Sequence, residues 1–318
     1  MKKLLTIILS LAIAATAFTA CGAKPNDGAL KIGLIQLAEH PSLDEIRTAF
    51  TEEINAGAKA QGISVEIDYQ NGLGEPSTLN TICQKFVGDK VDLIVAIATP
   101  AAQSAAAAVM GTDIPVIFSA VTDPVAAQLV TDLSAPEGNI TGTSDAIPVD
   151  KIFTLAKELT PNVKSFGIVY NMGEPNSVEV LADAKAYLEA NNIQLSESGV
   201  TAGGEIQAAV QGLCDKCDAI FIPIDNMVAL AMPTVAETAI KSKTPVYAAA
   251  DSLVHDGALA SVGVNYTNLG KETGKMALQA LTGTAIKDIP VMVLNENNIV
   301  VNSETAKAIG VDVSKYAK

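Results

Sequence analysis

Two hydroxyl-bearing loops offer the first chemistry in this chain. Thr99-Pro100-Ala101-Ala102-Gln103 follows an apolar run at 93–98, and Ser119-Ala120-Val121-Thr122-Asp123-Pro124 follows another at 116–118. Thr99 reads as an N-cap with Pro100 in the first helical turn, and the free amides of such a turn attract a carboxylate. Capping alone would explain either loop, but two at neighbouring strand ends point to an anion site. Acids and amides gather after later runs: Asn171, Glu174, Asn176 and Ser177 after Tyr170, Asp225 and Asn226 after Pro223, Asp251 and Ser252 after Ala249, and Ser144-Asp145 after a polar stretch at 139–143. Asp145, Glu174, Asp225 and Asp251 facing one gap would suit an ammonium group. The competing reading has Asp225 and Asp251 capping helices or bracing a hinge. Together the two halves describe a zwitterion, and an α-amino acid is the simplest. Phe118, Tyr170, Phe221, Tyr247 and Tyr266 are candidates for the wall of a side-chain pocket, although aromatics at strand ends are as much at home in a core.

Other reactive residues are sparse. No GxSxG, HExxH, Walker A or post-strand GxGxxG pattern occurs, so neither an enzyme nor a cofactor is expected. His40 and His255 are the two histidines and lack a carboxylate partner at fixed spacing, so no metal site is expected. Cys214 and Cys217 have CxxC spacing but no second ligand pair to complete a zinc site; a local disulfide or two thiols both fit. Cys83 shares a helical apolar stripe with Ile82, Phe86 and Val87 and reads as core.

The 318 residues carry a net charge of −14, which repels polyanions and excludes nucleic acid as a partner. Met1-Lys2-Lys3 precedes an apolar run from Leu4 to Phe18, the layout of an export signal. The run ends Phe18-Thr19-Ala20-Cys21-Gly22, which resembles the lipobox of bacterial lipoproteins, with Phe18 standing where those proteins usually have Leu. Cleavage of residues 1–20, lipidation of Cys21, a tether over 21–29 and an extracytoplasmic, membrane-anchored location are the expectation.

From residue 30 onward, short β-branched apolar runs alternate with helical patterns, the signature of parallel sheets covered on both faces. Strands are expected at 31–36, 64–70, 93–98, 116–119, 166–170, 193–200, 219–223, 246–249, 258–264 and 291–293. Helices are expected at 43–61, 76–88, 101–110, 124–130, 149–159, 177–191, 204–214, 227–241 and 266–283. The series at 31–119 and at 166–249 are alike, so two doubly wound α/β lobes follow, joined by a hinge at 139–143. Ligands of such sheets bind beyond the carboxyl ends of the strands, where all the residues above collect.

Several segments in order carry a resemblance: Ile32-Gly33-Leu34-Ile35-Gln36, Glu39-His40-Pro41-Ser42-Leu43-Asp44, Ala98–Gln103, Phe118–Pro124, Asn139-Ile140-Thr141-Gly142, Pro223-Ile224-Asp225-Asn226 and Asp251-Ser252-Leu253-Val254. Over nearly all of 30–300 the chain resembles the tryptophan/tyrosine-binding lipoprotein family of ABC transporter substrate-binding proteins. That resemblance implies a periplasmic-binding-protein fold of the leucine-binding and lactose-repressor-core type and a monomer that delivers an aromatic amino acid to an ABC permease. It also implies a triple crossing, with one lobe formed by 30–143 plus 253–283 and the other by 144–252 plus 284–318. Gln36, His40 and Tyr170 become further candidates for ligand contact or lobe closure. A sensory ectodomain reporting to a membrane signalling protein is the alternative function; an enzyme on the same fold is the weaker one.

Overall fold

A computed structural model describes residues 28–294 and 298–316. Cys21 and the segment expected to be an export signal lie outside them. The chain builds two six-stranded sheets. The first contains β1 (Leu30–Gln36), β2 (Val65–Asn71), β3 (Leu93–Ile97), β4 (Val116–Ser119), β5 (Ile140–Ser144) and β11 (Met292–Val293), in the order β11-β5-β4-β3-β1-β2. The second contains β6 (Ser165–Asn171), β7 (Gln194–Val200), β8 (Ala219–Ile222), β9 (Val246–Ala248), β10 (Ala260–Gly263) and β12 (Asn298–Val301), in the order β12-β10-β9-β8-β6-β7. All pairings are parallel except β10 with β12. Both sheets therefore run second, first, third, fourth, fifth, sixth in chain order, the two doubly wound lobes that the alternation predicts. Fully buried strands such as Leu-Ile-Val-Ala-Ile of β3 explain the continuous apolar runs.

Helices cover both faces: α1 (Pro41–Ala60), α2 (Pro76–Gly88), α3 (Thr99–Ala108), α4 (Val149–Leu159), α5 (Pro175–Ala190), α6 (Ile206–Cys214), α7 (Asn226–Leu230), α8 (Met232–Lys241), α9 (Asp251–His255), α10 (Tyr266–Leu281) and α11 (Ser303–Ile309). Helix α10 returns to the first lobe and packs along α1. A Cβ at Gly270 would stand 2.5 Å from the Ile46 carbonyl oxygen, so glycine is what permits that approach. A buried hydroxyl cluster fastens the same helix to the sheet: Ser119 Oγ and Thr143 Oγ1 lie 2.8 and 2.9 Å from Thr273 Oγ1. In the second lobe, Phe153 of α4 meets Phe166 edge-on at 4.9 Å, Phe221 at 5.2 Å and Tyr187 in a stack at 5.3 Å.

Several local expectations change. Residues 124–130 form hydrogen-bonded turns rather than a helix, and the single helix expected at 227–241 is broken at Ala231, with Pro233 inside the first turn of α8. The 139–143 stretch expected as a hinge is the strand β5, paired to β4, so the first crossing comes after Ser144. Strand β10 pairs with β9 and β12 in the second sheet, and β11 pairs with β5 in the first. The chain thus passes from one sheet to the other after β5, after β10 and after β11, not at the boundaries expected after 143, 252 and 283. Residues 253–263 belong with the second sheet and 292–293 with the first, because strand pairing and not helix composition fixes membership. Cys83 is core, where burial pushes its thiol up to about 12, and Cys214 and Cys217 are thiols. Among the described residues no helix is long and apolar enough to cross a membrane.

Candidate functional site

The carboxyl ends of both sheets face one gap. From the first lobe it is lined by His40, Ser42, Leu43, Ala98, Thr99, Ala120, Asp145 and Tyr266, and from the second by Asn176, Pro223, Ile224, Asp225, Asn226, Ala229, Ala250 and Leu253. About 20 Å³ of the gap is free, room for about one water, so a larger ligand enters only if the lobes part. The lobes are shut across it. His40 Nε2 lies 3.1 Å from Asn226 Oδ1, and Ser42 Oγ lies 2.5 Å from Ser252 Oγ.

Two residues at the strand ends have left-handed backbone. Ala98, which precedes α3, has φ 81° and ψ 153°, and Ala120 after β4 has φ 54°. For residues with a Cβ such conformations cost about 1–3 kcal/mol each and persist where the surroundings demand them. Both line the gap, as does Thr99, which is the first residue of α3 rather than its cap.

The buried polar atoms are the most informative feature. Among the described residues four buried side-chain atoms lack a hydrogen-bond partner: His40 Nδ1, Thr99 Oγ1, Asn176 Oδ1 and Ser261 Oγ. The first three belong to residues of the gap, and each of those side chains is at most 5% exposed. An orphaned buried polar atom costs about 1–3 kcal/mol, so three around one gap concentrate unmet hydrogen-bonding capacity there.

The four acids expected to form a cluster have different tasks. Asp145 lies in the gap and accepts hydrogen bonds from Thr122 Oγ1 at 3.1 Å and the Tyr266 hydroxyl at 3.2 Å. Burial pushes its carboxyl up to about 6, with those two hydroxyls restraining the rise. Asp225 is saturated: it accepts from Asn171 N at 2.5 Å, Ser177 Oγ at 2.6 Å and Val228 N at 2.9 Å, the last capping α7. Burial and the neighbouring Glu174 charge raise it to about 6. Glu174 does not line the gap; its oxygens accept from Asn226 N and Met227 N, both at 3.1 Å, and from Asn226 Nδ2 at 2.5 Å. Asp251 is half-buried, accepts from Ser252 N at 2.8 Å and also stands outside the gap. Asp145 alone of the four both lines the gap and has no backbone or amide donor of another residue occupying it.

Of the remaining expected residues, Thr99, Ala120, Asn176, Asn226 and His40 do line the gap. Thr122 and Ser144 stand behind Asp145, Ser144 donating to Thr122 O at 2.9 Å. Ser119 is spent on the hydroxyl cluster under α10. Gln103 donates to Ala127 O at 3.2 Å and holds the 124–130 turns. Gln36 is buried among Ala38 O, Asp44 and Arg47. Asn171 braces Glu174, and Tyr170 is half-buried away from the gap. Of the aromatics, only Tyr266 reaches the gap; Phe118, Phe221 and Tyr247 are core. The apolar wall of Leu43, Ala229, Ala250 and Leu253 was missed. Leu43 and Leu253 each follow a quoted polar motif directly, and their position one turn into a helix at a strand end was the available signal.

Residues 31–316 match the family described as ABC transporter substrate binding protein. A tyrosine-binding protein of Clostridioides difficile (strain R20291) is 38% identical over 100% of this chain and 96% of its own. A Streptococcus pneumonia ABC domain in complex with L-Trp is 40% identical with a TM-score of 0.85, covering 90% of this chain and 96% of that one. The ligand-free, open structure of a Clostridium difficile substrate binding protein is 41% identical, covering 89% and 96%, yet its TM-score is 0.69. At nearly equal identity the shut lobes seen here superpose better on the tryptophan-bound relative. On the family match across both lobes, this chain belongs to the ABC transporter substrate binding protein family.

Proposed function

We propose that this protein is the extracytoplasmic receptor of an ABC importer and that its cargo is an aromatic α-amino acid held in the gap between the lobes. The observation that carries this reading is the set of unpartnered buried atoms on His40, Thr99 and Asn176, which share one gap with the carboxylate of Asp145. Asp145 takes the ammonium. Thr99 and the strained turns at Ala98 and Ala120 take the carboxylate, since among the described residues no Lys or Arg lines the gap. Leu43, Pro223, Ile224, Leu253 and Tyr266 enclose the apolar side chain. The tyrosine- and tryptophan-binding relatives support the same class of cargo.

Titration calorimetry with the twenty amino acids tests this: stoichiometric binding of aromatic ones, recovered chemically unchanged, is the expected outcome, and failure to bind any of them removes the reading. The receptor works as a monomer anchored through lipidated Cys21. Cys21→Ser is expected to move it from the membrane fraction to the soluble fraction; retention in the membrane fraction would remove the anchor.

A further inference from the structure

We infer that Ser42 and Ser252 form a latch that holds the lobes shut on each other without help from cargo, so that its opening governs how fast an amino acid enters and leaves. The part that concerns cargo rests on the reading of the gap as an amino-acid site. Two side-chain contacts cross between the lobes. Ser42, in the first turn of α1, has its Oγ 2.5 Å from Oγ of Ser252, in the first turn of α9. His40, at the cap position of α1, donates from Nε2 to Oδ1 of Asn226, the first residue of α7, at 3.1 Å. The Glu174 carboxylate aims that amide: it accepts from Asn226 N at 3.1 Å and Nδ2 at 2.5 Å, which turns Oδ1 toward His40. Helix α1 belongs to the first lobe and α7 and α9 to the second, so parting the lobes breaks both contacts.

All four side chains are at most 7% exposed. Each serine hydroxyl is the other's partner, and deleting one leaves the other buried and unpaired, which costs more than the bond itself contributes. With both contacts made, the side chains of the gap approach until about 20 Å³ is free. The shut form is therefore a meeting of protein with protein and not a wrapping around a molecule of amino-acid size. The unpartnered atoms on His40, Thr99 and Asn176 oppose it, and the crossing contacts offset them. Opposed terms of similar size keep the balance between open and shut within reach of a ligand. Ser252 does not line the gap, so the serine contact closes its edge and leaves its interior to cargo. Such a latch strengthens the shut form whether it is loaded or not. Weakening it must then speed entry and exit together, and the two changes partly cancel in the affinity.

Small-angle scattering and stopped-flow binding of L-tryptophan test this on the wild type, Ser252→Ala and the double variant Ser42→Ala/Ser252→Ala; the ligand's own fluorescence can be followed because the chain contains no tryptophan. The ligand-free wild type is expected to be as compact as the wild type with L-tryptophan. Ser252→Ala is expected to be wider when ligand-free, with entry and exit both roughly three- to tenfold faster and the affinity changed by less than either rate. The double variant leaves no orphaned hydroxyl and is expected to lie closer to the wild type than the single one does. A ligand-free wild type that is wide and contracts on L-tryptophan overturns the latch. So does a single variant whose rates stay at the wild-type values or whose exit rate alone rises, or a double variant more open than the single one. A wild type that binds no L-tryptophan overturns the choice of cargo, and the scattering of the three ligand-free proteins still decides the latch.

Discussion

Replacing Asp145 by Asn should raise the stability of the ligand-free protein and lower its affinity for amino acids, two effects of opposite sign from one atom. The carboxylate is about 1% exposed and receives two hydroxyl hydrogen bonds besides one from its own backbone, so ionising it inside the lobe is unfavourable. Its folded-state value of about 6 against 3.8 corresponds to about 3 kcal/mol, at roughly 1.4 kcal/mol per tenfold change in acidity. The folded value lies above the unfolded one. The stability it confers is therefore fully present below about pH 4 and is lost as pH rises through about 6. At pH 7 the wild type carries the whole penalty. Asp145→Asn removes the charge but cannot accept both hydroxyl protons, which returns about 1 kcal/mol and leaves a net gain of about 2 kcal/mol. With ligand present the sign reverses. The ammonium loses a buried charged partner worth about 1.5–3 kcal/mol, a fall in affinity of roughly ten- to a hundredfold. Urea unfolding of both proteins from pH 4 to 8 reads the first effect; calorimetry at pH 7 reads the second. The difference in stability between variant and wild type should grow through pH 6. A variant less stable than the wild type at pH 7, or one with wild-type affinity, refutes the assignment of Asp145 as the ammonium partner.

Other perturbations separate positioning from binding. Asp225→Ala strips the acceptor from Asn171 N, Ser177 Oγ and Val228 N, so chemical denaturation should show a loss of about 2–4 kcal/mol in stability; a change confined to ligand affinity would contradict this. Gly270→Ala puts a Cβ 2.5 Å from the Ile46 carbonyl, and thermal unfolding should report about 1–3 kcal/mol of destabilisation from forcing α10 off α1. Phe153→Ala removes the ring shared by Phe166, Phe221 and Tyr187, and about 3–5 kcal/mol should disappear in the same measurement.

The architecture was legible because it is written in local period. Fully buried β-branched runs such as β3 and amphipathic stretches such as α1 are properties of ten or twenty neighbouring residues, and their alternation requires crossovers and hence parallel sheets. Strand β5 escaped because Ile-Thr-Gly-Thr-Ser has no apolar run. It becomes a strand through its partners β4 and β11, which come from elsewhere in the chain. The positions of the crossings were lost for the same reason, since β10 and β11 are assigned to a sheet by what they pair with.

The sequence by itself determined that polar residues would stand at strand ends, because the apolar runs that make buried strands stop there and the chain turns in polar residues, and so Thr99, Asp145, Asn176 and Asp225 were in view. It could not determine which of them remain free. Asp225 is occupied by Asn171 and Glu174 by Asn226, partners 54 and 52 positions away. Whether a carboxylate is spent on its own lobe or left for a ligand is decided by the donors that folding brings within 3 Å. Only the tertiary structure could leave Asp145 with two hydroxyls and His40 with a bare nitrogen, because hydrogen-bond saturation is a property of the neighbourhood in space and not of the residue or its neighbours in the chain.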